Sequence, residues 1–302
     1  MLQSPLNYTG GKYKLLPQIL PLFPKDLGCF VDLFCGGCNV GINVSAESYI
    51  YNDCCAPLIQ LYSVMQTMDS AVFIDKTEKI IKKYELSDVK VHGYDFYHCS
   101  SSDGLGAYNK DKYLKLRGDF NALKSKETDY YIMLYVLIVY AFNNQIRFNR
   151  NGEFNLPVGK RDFNQKMCSK LKAFMELLHN QNAVFLQGDF RKFNIDQLTG
   201  RDFVYADPPY LITCAAYNEQ GGWTKEDERD LLQTLDALSE RGIKFALSNV
   251  LESKGKENTI LKRWIASSQN YKMIDLNYSY SNANYHRQNK DRETREILVV
   301  NY

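Results

Sequence analysis

The chain has 302 residues, a formal net charge of +2, 45% apolar residues and 24% charged residues. This balance describes a folded globular chain rather than a disordered or fibrous one. No window of about eighteen apolar residues without charge occurs, so no membrane-spanning helix is expected. The near-zero charge neither requires nor rules out a polyanionic partner, because local clustering decides that.

In chain order, NYTGGKYKLLPQI (Asn7 to Ile19) sets a glycine pair before Lys12. Lys12 can pair with a carboxylate and Tyr8 can cover an apolar face, or the segment is simply a turn and a helix start. LGCFVDLFCGG (Leu27 to Gly37) reads as a buried strand ending in a glycine turn, VGINVSAES as a short helix, and YIYNDC as a second strand. Strand, glycine turn, helix and an acid-ending strand open a parallel α/β unit. The run from Cys55 to Glu85 is helical in spacing.

The middle breaks the sheet rhythm. KETDYYIMLYVLIVYAFNN reads as a buried helix, and NQIRFNRNGEFNLPVGKRDFNQ places an Asn-Gly turn between polar and aromatic residues, a hairpin signal. Strands resume with AVFLQGDF, DFVYADPPY and IKFALSNV. In TKEDERDLLQTLDALSER, Thr224 caps a helix with Asp227 at its third position, and Gly242 ends it. YKMIDLNY and REILVVNY supply two last strands, joined by the polar SYSNANYHRQNKDRET as a long antiparallel connection. The expected fold is α/β, a mixed seven-stranded sheet built from residues 1–60 and 182–302. Residues 61–181 form an insertion that is mainly helical with a hairpin.

Eight cysteines include one CxxC, Cys35 and Cys38, but no second pair or spaced histidines completes a metal set, so no metal is expected. Without a signal-peptide pattern, reduced thiols and a cytoplasmic location are the expectation.

Three acids fall at strand ends where parallel sheets bind ligands: Asp32, Asp53 and Asp189. Asp53 either accepts from ribose hydroxyls or is a solvated strand-end acid. Gly36 and Gly37 leave room for backbone to approach a ligand. Gly36, Gly37 and Gly41 do not make a GxGxxG run, which disfavours a dinucleotide; a nucleoside with a short charged tail, such as S-adenosylmethionine, needs less.

After the fourth strand comes Asp207-Pro208-Pro209-Tyr210. The prolines lack N–H groups, so their carbonyls remain acceptors. The Asp207 carboxylate and the Pro208 carbonyl can take the two hydrogens of an exocyclic amine while Tyr210 stacks on its ring; a rigid turn is the bland alternative. Such acceptors stabilise the charge that develops when a conjugated amine attacks a methyl group. A base in a duplex would have to be flipped out to reach them. Asn144 to Lys172 carries seven Lys/Arg against two acids. Arg147, Asn149, Arg150, Asn151, Lys160 and Arg161 around the hairpin can contact phosphates and base edges, or be solvated side chains.

TGGKYKLLPQI, FVDLFCGG, YNDC, IRFNRNGEFNLPVGK, LQGDF, VYADPPY and the late Ser-Asn resemble, in order, the Dam-like or D12-class family of DNA adenine-N6 methyltransferases. The resemblance implies the S-adenosylmethionine-dependent methyltransferase fold with the insertion as DNA-recognition region. It implies a catalytic corner of Asp207, Pro208 and Tyr210. It implies a cofactor set of Tyr8, Lys12, Asp32, Phe34, Gly36, Asp53, Asp189 and Phe190, with Asp53 on ribose and Asp189 and Phe190 on the cofactor adenine. The implied activity is sequence-specific methylation of adenine in double-stranded DNA by a monomer, within a restriction-modification system and beside a cognate endonuclease. The competing readings are cytosine-N4 methylation and a non-catalytic DNA-binding protein. The YAFNNQIRFN run departs from the Dam-type pattern, so no target sequence is assigned.

Overall fold

The computed structural model describes residues 1–8, 10–213, 222–277 and 294–302. These residues divide into two compact units, one made of Met1–Gly11, Gly36–Ile42 and Cys55–Gln181, the other of Lys12–Cys35, Asn43–Cys54 and Asn182–Tyr302. The 60/61 junction read from the sequence falls inside an unbroken helix, Ala56–Thr67.

The second unit carries the sheet. Its strands are β1 (Leu27–Asp32), β2 (Ala46–Asp53), β3 (Ala183–Gln187), β4 (Phe203–Ala206), β5 (Lys244–Ser253), β6 (Lys256–Glu257), β7 (Lys272–Leu276) and β8 (Arg295–Val300). The spatial order is β3-β2-β1-β4-β5-β8-β7, with β6 folded back onto β5. β1 to β5 pair in parallel, and β8 runs antiparallel to both β5 and β7. The sheet is therefore mixed, as expected, but it gains an eighth strand. β6 is two polar residues after a turn, too short to leave a pattern in the sequence. The connection expected through 279–294 lies, apart from Thr294, outside the described residues.

The short helix expected in VGINVSAES is a single 3-10 turn, Gly41–Asn43. β2 instead begins at Ala46 and takes in AES, because Leu27 to Asp32 offers a parallel partner from Ala46 onward. The central strands are buried on both faces, with successive side chains pointing to opposite sides. Val31, Val204, Ala206, Phe245 and Leu247 face Leu231, Leu235 and Leu238 of the helix Lys225–Glu240. On the opposite face Phe23 packs against Phe30, Phe203 and Tyr205. The Lys225–Glu240 helix starts as read: Thr224 Oγ1 accepts from the Asp227 N–H at 3.1 Å, and the Asp227 carboxylate accepts from the Thr224 N–H at 2.7 Å. Gly242, at φ +71°, ends it.

The first unit is largely helical. Its central helix, Thr128–Tyr140, is buried on nearly every side. It packs against Ala56–Thr67, Ser70–Lys83 and Gly106–Asn121. An all-round apolar helix is a core helix, and here its neighbours sheathe it. The hairpin after it is narrow: Phe148 and Phe154 form one antiparallel bridge. Its turn runs from Asn149 to Gly152, whose N–H returns to the Asn149 carbonyl at 2.9 Å, and Gly152 sits at φ +76°. This is a type I turn closed by a left-handed glycine.

Candidate active site

The carboxyl ends of β1 and β4 adjoin where the strand order reverses direction, with β2 and β3 on one side and β5 on the other. That is where open parallel sheets leave a crevice for ligands. Asp207 stands there, one residue beyond β4, with its side chain 18% exposed. Its Oδ1 is 2.8 Å from the Lys12 Nζ and accepts from the Tyr210 hydroxyl at 2.9 Å. The Lys12 ammonium also lies 4.9 Å from the centre of the Tyr210 ring. Pro208 is buried, Pro209 exposed and Tyr210 half-buried.

A second acid completes the cluster. Glu296 of β8 is 2% exposed, 3.5 Å from the Lys12 Nζ, and its Oε1 accepts from the Tyr210 hydroxyl at 3.2 Å. Burial raises the Asp207 pKa above the ordinary carboxylate value; the Lys12 ammonium and the Tyr210 hydroxyl pull it back, and the Glu296 charge adds to the rise. Burial, reinforced by the Asp207 and Glu296 charges, holds the Tyr210 phenol well above its usual range, so Tyr210 is a neutral donor. Ser248, midway along β5, has its hydroxyl 2.7 Å from that of the buried Tyr205. Asn249 donates to Glu228 at 3.2 Å. Both side chains make hydrogen bonds within the fold.

Three further acids end strands of the same unit. Asp32 and Asp53 are buried at the ends of β1 and β2, and the Gly188 N–H donates to the Asp53 carbonyl at 3.1 Å. Asp189, after β3, is exposed and is gripped by Arg191, whose guanidinium also reaches Asp227 and Asp230. Phe190 is buried against Phe34 at 5.4 Å and Trp223 at 5.7 Å between ring centres. Its ring thus backs two half-buried aromatics instead of offering an open face. Carboxylates beside half-exposed rings suit a nucleoside, with acceptors for its hydroxyl and amino groups and an apolar face for its base. Among the described residues no cluster of His, Cys, Asp or Glu is arranged to hold a metal ion, and no helix is long and apolar enough to cross a membrane.

The model of the family described as D12 class N6 adenine-specific DNA methyltransferase matches residues 8–282. The chain belongs to this family. Similar proteins include the modification methylase StsI of Streptococcus sanguinis, 38% identical over all of this chain and 43% of its own length. The Type II methyltransferase M.FokI of Planomicrobium okeanokoites is 40% identical over the same shares. The DNA adenine methylase of Escherichia coli strain K12 is 27% identical over 81% of this chain and 79% of its own. The chain spans less than half the length of the first two relatives.

In this D12-class chain the remaining residues read from the sequence lie in the helical unit. Tyr8 and Gly36 meet there: a Cβ on Gly36, at φ +44°, would stand 2.9 Å from the Tyr8 ring, and one on Gly37 would stand 3.1 Å from the Tyr8 Cβ. The room left by these glycines is filled by Tyr8, not held open. In the hairpin, Arg147 Nε donates to the Asn155 side chain at 2.7 Å, and the Asn149 side chain accepts from the Asn151 and Glu153 N–H groups. Asn149 thus builds the turn. Arg150 and Asn151 occupy its exposed tip, with Lys160 and Arg161 exposed farther along; Arg161 reaches the Ser101 carbonyl at 3.5 Å.

The sequence did not single out Glu296, Arg191 or Trp223. Glu296 precedes ILVV, and its acid reads as a strand-edge residue when only the local pattern is seen. Arg191 and Trp223 gain their meaning from partners more than thirty residues away, Asp227 and Phe190 respectively. No local spacing announces them.

Proposed function

We propose that this chain is a sequence-specific DNA adenine-N6 methyltransferase using S-adenosylmethionine. The observation that carries the reading is Asp207, followed by an N–H-less proline pair and a neutral Tyr210, at the crevice-forming edge of the sheet. S-adenosylmethionine supplies a methyl group on a sulfonium, which leaves as a neutral thioether. Asp53, Asp189, Asp32 and Phe34 are the residues we assign to holding it, with Phe190 supporting Phe34. Tyr8, Lys12 and Gly36 are assigned to the same purpose from family resemblance.

The adenine N6 lone pair is conjugated with its ring and is a weak nucleophile. The Asp207 carboxylate and the Pro208 carbonyl accept from its two hydrogens and stabilise the positive charge as it attacks. The proton leaves N6 after the methyl arrives, when it is acidic, with Asp207 beside it to receive it. Tyr210 stacks on the purine, which has to be everted from the duplex to reach this corner. Arg147, Asn149, Arg150, Asn151, Lys160 and Arg161 are assigned to the DNA-facing hairpin, with Asn149 acting by shaping the turn.

The names of two relatives, a modification methylase and a Type II methyltransferase, support a modification role; a cognate endonuclease and a cytoplasmic location are part of the same proposal. We propose the chain to be active as a monomeric module. The test is to incubate it with duplex DNA and methyl-labelled S-adenosylmethionine, hydrolyse the DNA and identify the nucleoside by mass. N6-methyl-2′-deoxyadenosine is expected, abolished by Asp207→Ala with S-adenosylmethionine binding largely retained. N4-methyl-2′-deoxycytidine would move the reading to the other exocyclic amine. Salt-sensitive duplex binding without methyl uptake would make it a binding protein.

A further inference from the structure

β8 is a central strand whose residues Ile297, Leu298, Val299 and Val300 are all buried apolar side chains, yet its second residue is an acid as deeply buried as they are. Placing a carboxylate in such a strand costs several kcal/mol of desolvation on the order-of-magnitude scale for buried ions. An apolar residue would suit the strand better. Glu296 therefore has to be explained by what it touches, and what it touches is the Asp207 corner.

A carboxylate oxygen has two lone-pair positions. On Asp207 Oδ1 they are taken by the Lys12 ammonium at 2.8 Å and the Tyr210 hydroxyl at 2.9 Å. In that arrangement the ammonium neutralises the charge needed by an incoming amine. Glu296 Oε1 lies 3.2 Å from the same hydroxyl and 3.5 Å from the same ammonium. Each donor thus stands between two carboxylates, at distances differing by less than one ångström, and a small displacement moves it from one acid to the other.

We propose that Glu296 is a positioning residue: it draws the Lys12 ammonium and the Tyr210 hydroxyl off Asp207 Oδ1, so that this oxygen and its full charge are open to the amino hydrogens of the target base. The inference rests on the methyltransferase reading above and deepens it. Glu296 touches neither base nor cofactor in this scheme; it acts through Asp207. The ionisable groups around Asp207 are Lys12 ahead of β1, Tyr210 in its own loop and Glu296 on β8. Tyr205 of β4 feels Asp207, Asp32 and Glu296 together. With the Glu296 charge gone, Asp207 loses a negative neighbour and ionises more easily, while the Lys12 ammonium loses one of the carboxylates that compete for it.

The test compares wild-type protein with Glu296→Gln in single-turnover methyl transfer to duplex DNA at saturating S-adenosylmethionine, across pH. The expected result is a transfer rate lower by about tenfold, the scale of losing one electrostatic contribution to a transition state. Affinities for S-adenosylmethionine and DNA stay within about twofold, a loss in rate rather than in binding. The acid limb of the rate profile moves to lower pH. The double variant Lys12→Met/Glu296→Gln, set against each single variant at saturating S-adenosylmethionine, gives a non-additive cycle, because both substitutions act on the same Asp207 carboxylate.

Wild-type rate and an unmoved acid limb in Glu296→Gln would overturn the proposal, as would losses that simply add. If Glu296→Gln does not fold, Glu296→Asp decides: it keeps the charge but withdraws it by about one C–C bond, ~1.5 Å. A reduced rate is then expected, and wild-type behaviour overturns the proposal. Absence of transfer by the wild-type protein on every duplex tried defeats the methyltransferase reading itself and this inference with it, which sets that failure apart.

Discussion

The Lys12 ammonium and the Asp207 carboxylate form an ion pair of 2.8 Å within one compact unit, bringing together residues 195 positions apart in the chain. Burial lifts the Asp207 pKa and Lys12 opposes the lift. In the proposed function Asp207 is an ionised acceptor, so kcat/KM should rise with pH through its folded-state pKa. Lys12→Met removes the opposing cation and should displace that acid limb to higher pH, with a rate loss of about tenfold or more at neutral pH. Methyl incorporation measured across pH checks this; an acid limb that stays in place would separate Lys12 from the ionisation of Asp207.

Tyr210 combines a ring for stacking with a hydroxyl held by two acids. Tyr210→Phe keeps the ring and should cost no more than about tenfold in transfer rate, the scale of one hydrogen-bond donor. Tyr210→Ala removes the platform as well and should cost a further ~1–3 kcal/mol of base stacking. The readout is transfer rate together with the fluorescence of a 2-aminopurine placed at the target position. Equal losses in the two variants would remove the ring from the account.

Gly159 closes the hairpin onto the end of the central helix. Its N–H donates to the Tyr140 carbonyl at 2.7 Å, and a Cβ there would lie 2.2 Å from the Ala141 carbonyl oxygen. The obstruction is backbone, which cannot swing aside as a side-chain tip can. Gly159→Ala should destabilise the helical unit by roughly 2–3 kcal/mol, within the range for overpacking a close contact. Urea unfolding, with hydrogen exchange along Thr128–Tyr140, measures it, and an unchanged midpoint would contradict it.

Asp162 is wholly buried, accepts from the Val89 N–H at 2.8 Å, and has its pKa pushed up to about 6, by burial first and by the Asp88 charge as well, against the pull of Lys90. In the unfolded chain its pKa is about 3.9. Between these values the unfolded chain gives up the proton first, so stability is greatest below the window and falls as pH rises through it. The loss is on the order of 2 kcal/mol by neutral pH. Thermal or urea unfolding at about pH 4.5 and about pH 7 should show this slope, flattened in Asp162→Asn.

Much of the fold was legible where physics is local. Strands stood out as apolar runs ending in Asp or Gly, and the capping box at Thr224 was visible because its two partners are three residues apart. The buried helix Thr128–Tyr140 announced itself by being apolar on all faces. The helix Gly106–Asn121 did not: its inward residues Asn109, Tyr113, Leu116 and Phe120 keep helical spacing, but half of them are polar or amphipathic. The corner motif could be read because Asp, Pro, Pro and Tyr are contiguous. Its setting could not, because the Glu296 carboxylate arrives from a strand 89 residues later and the Tyr8 ring fills Gly36 from 28 residues earlier. Glycine adjacency alone does not say whether a ligand or the chain's own side chain occupies the space.

The reversed direction of β8 has a practical consequence. Its beginning lies at the reacting rim, while Val300 pairs with Ala246 near the start of β5, and Tyr302 stacks edgewise on Phe203 at 5.9 Å with its hydroxyl on the Leu22 carbonyl. Residue 302 therefore emerges on the far side of the sheet from Asp207. A dye attached to the side chain of residue 302 would report on the end of the strands opposite Asp207.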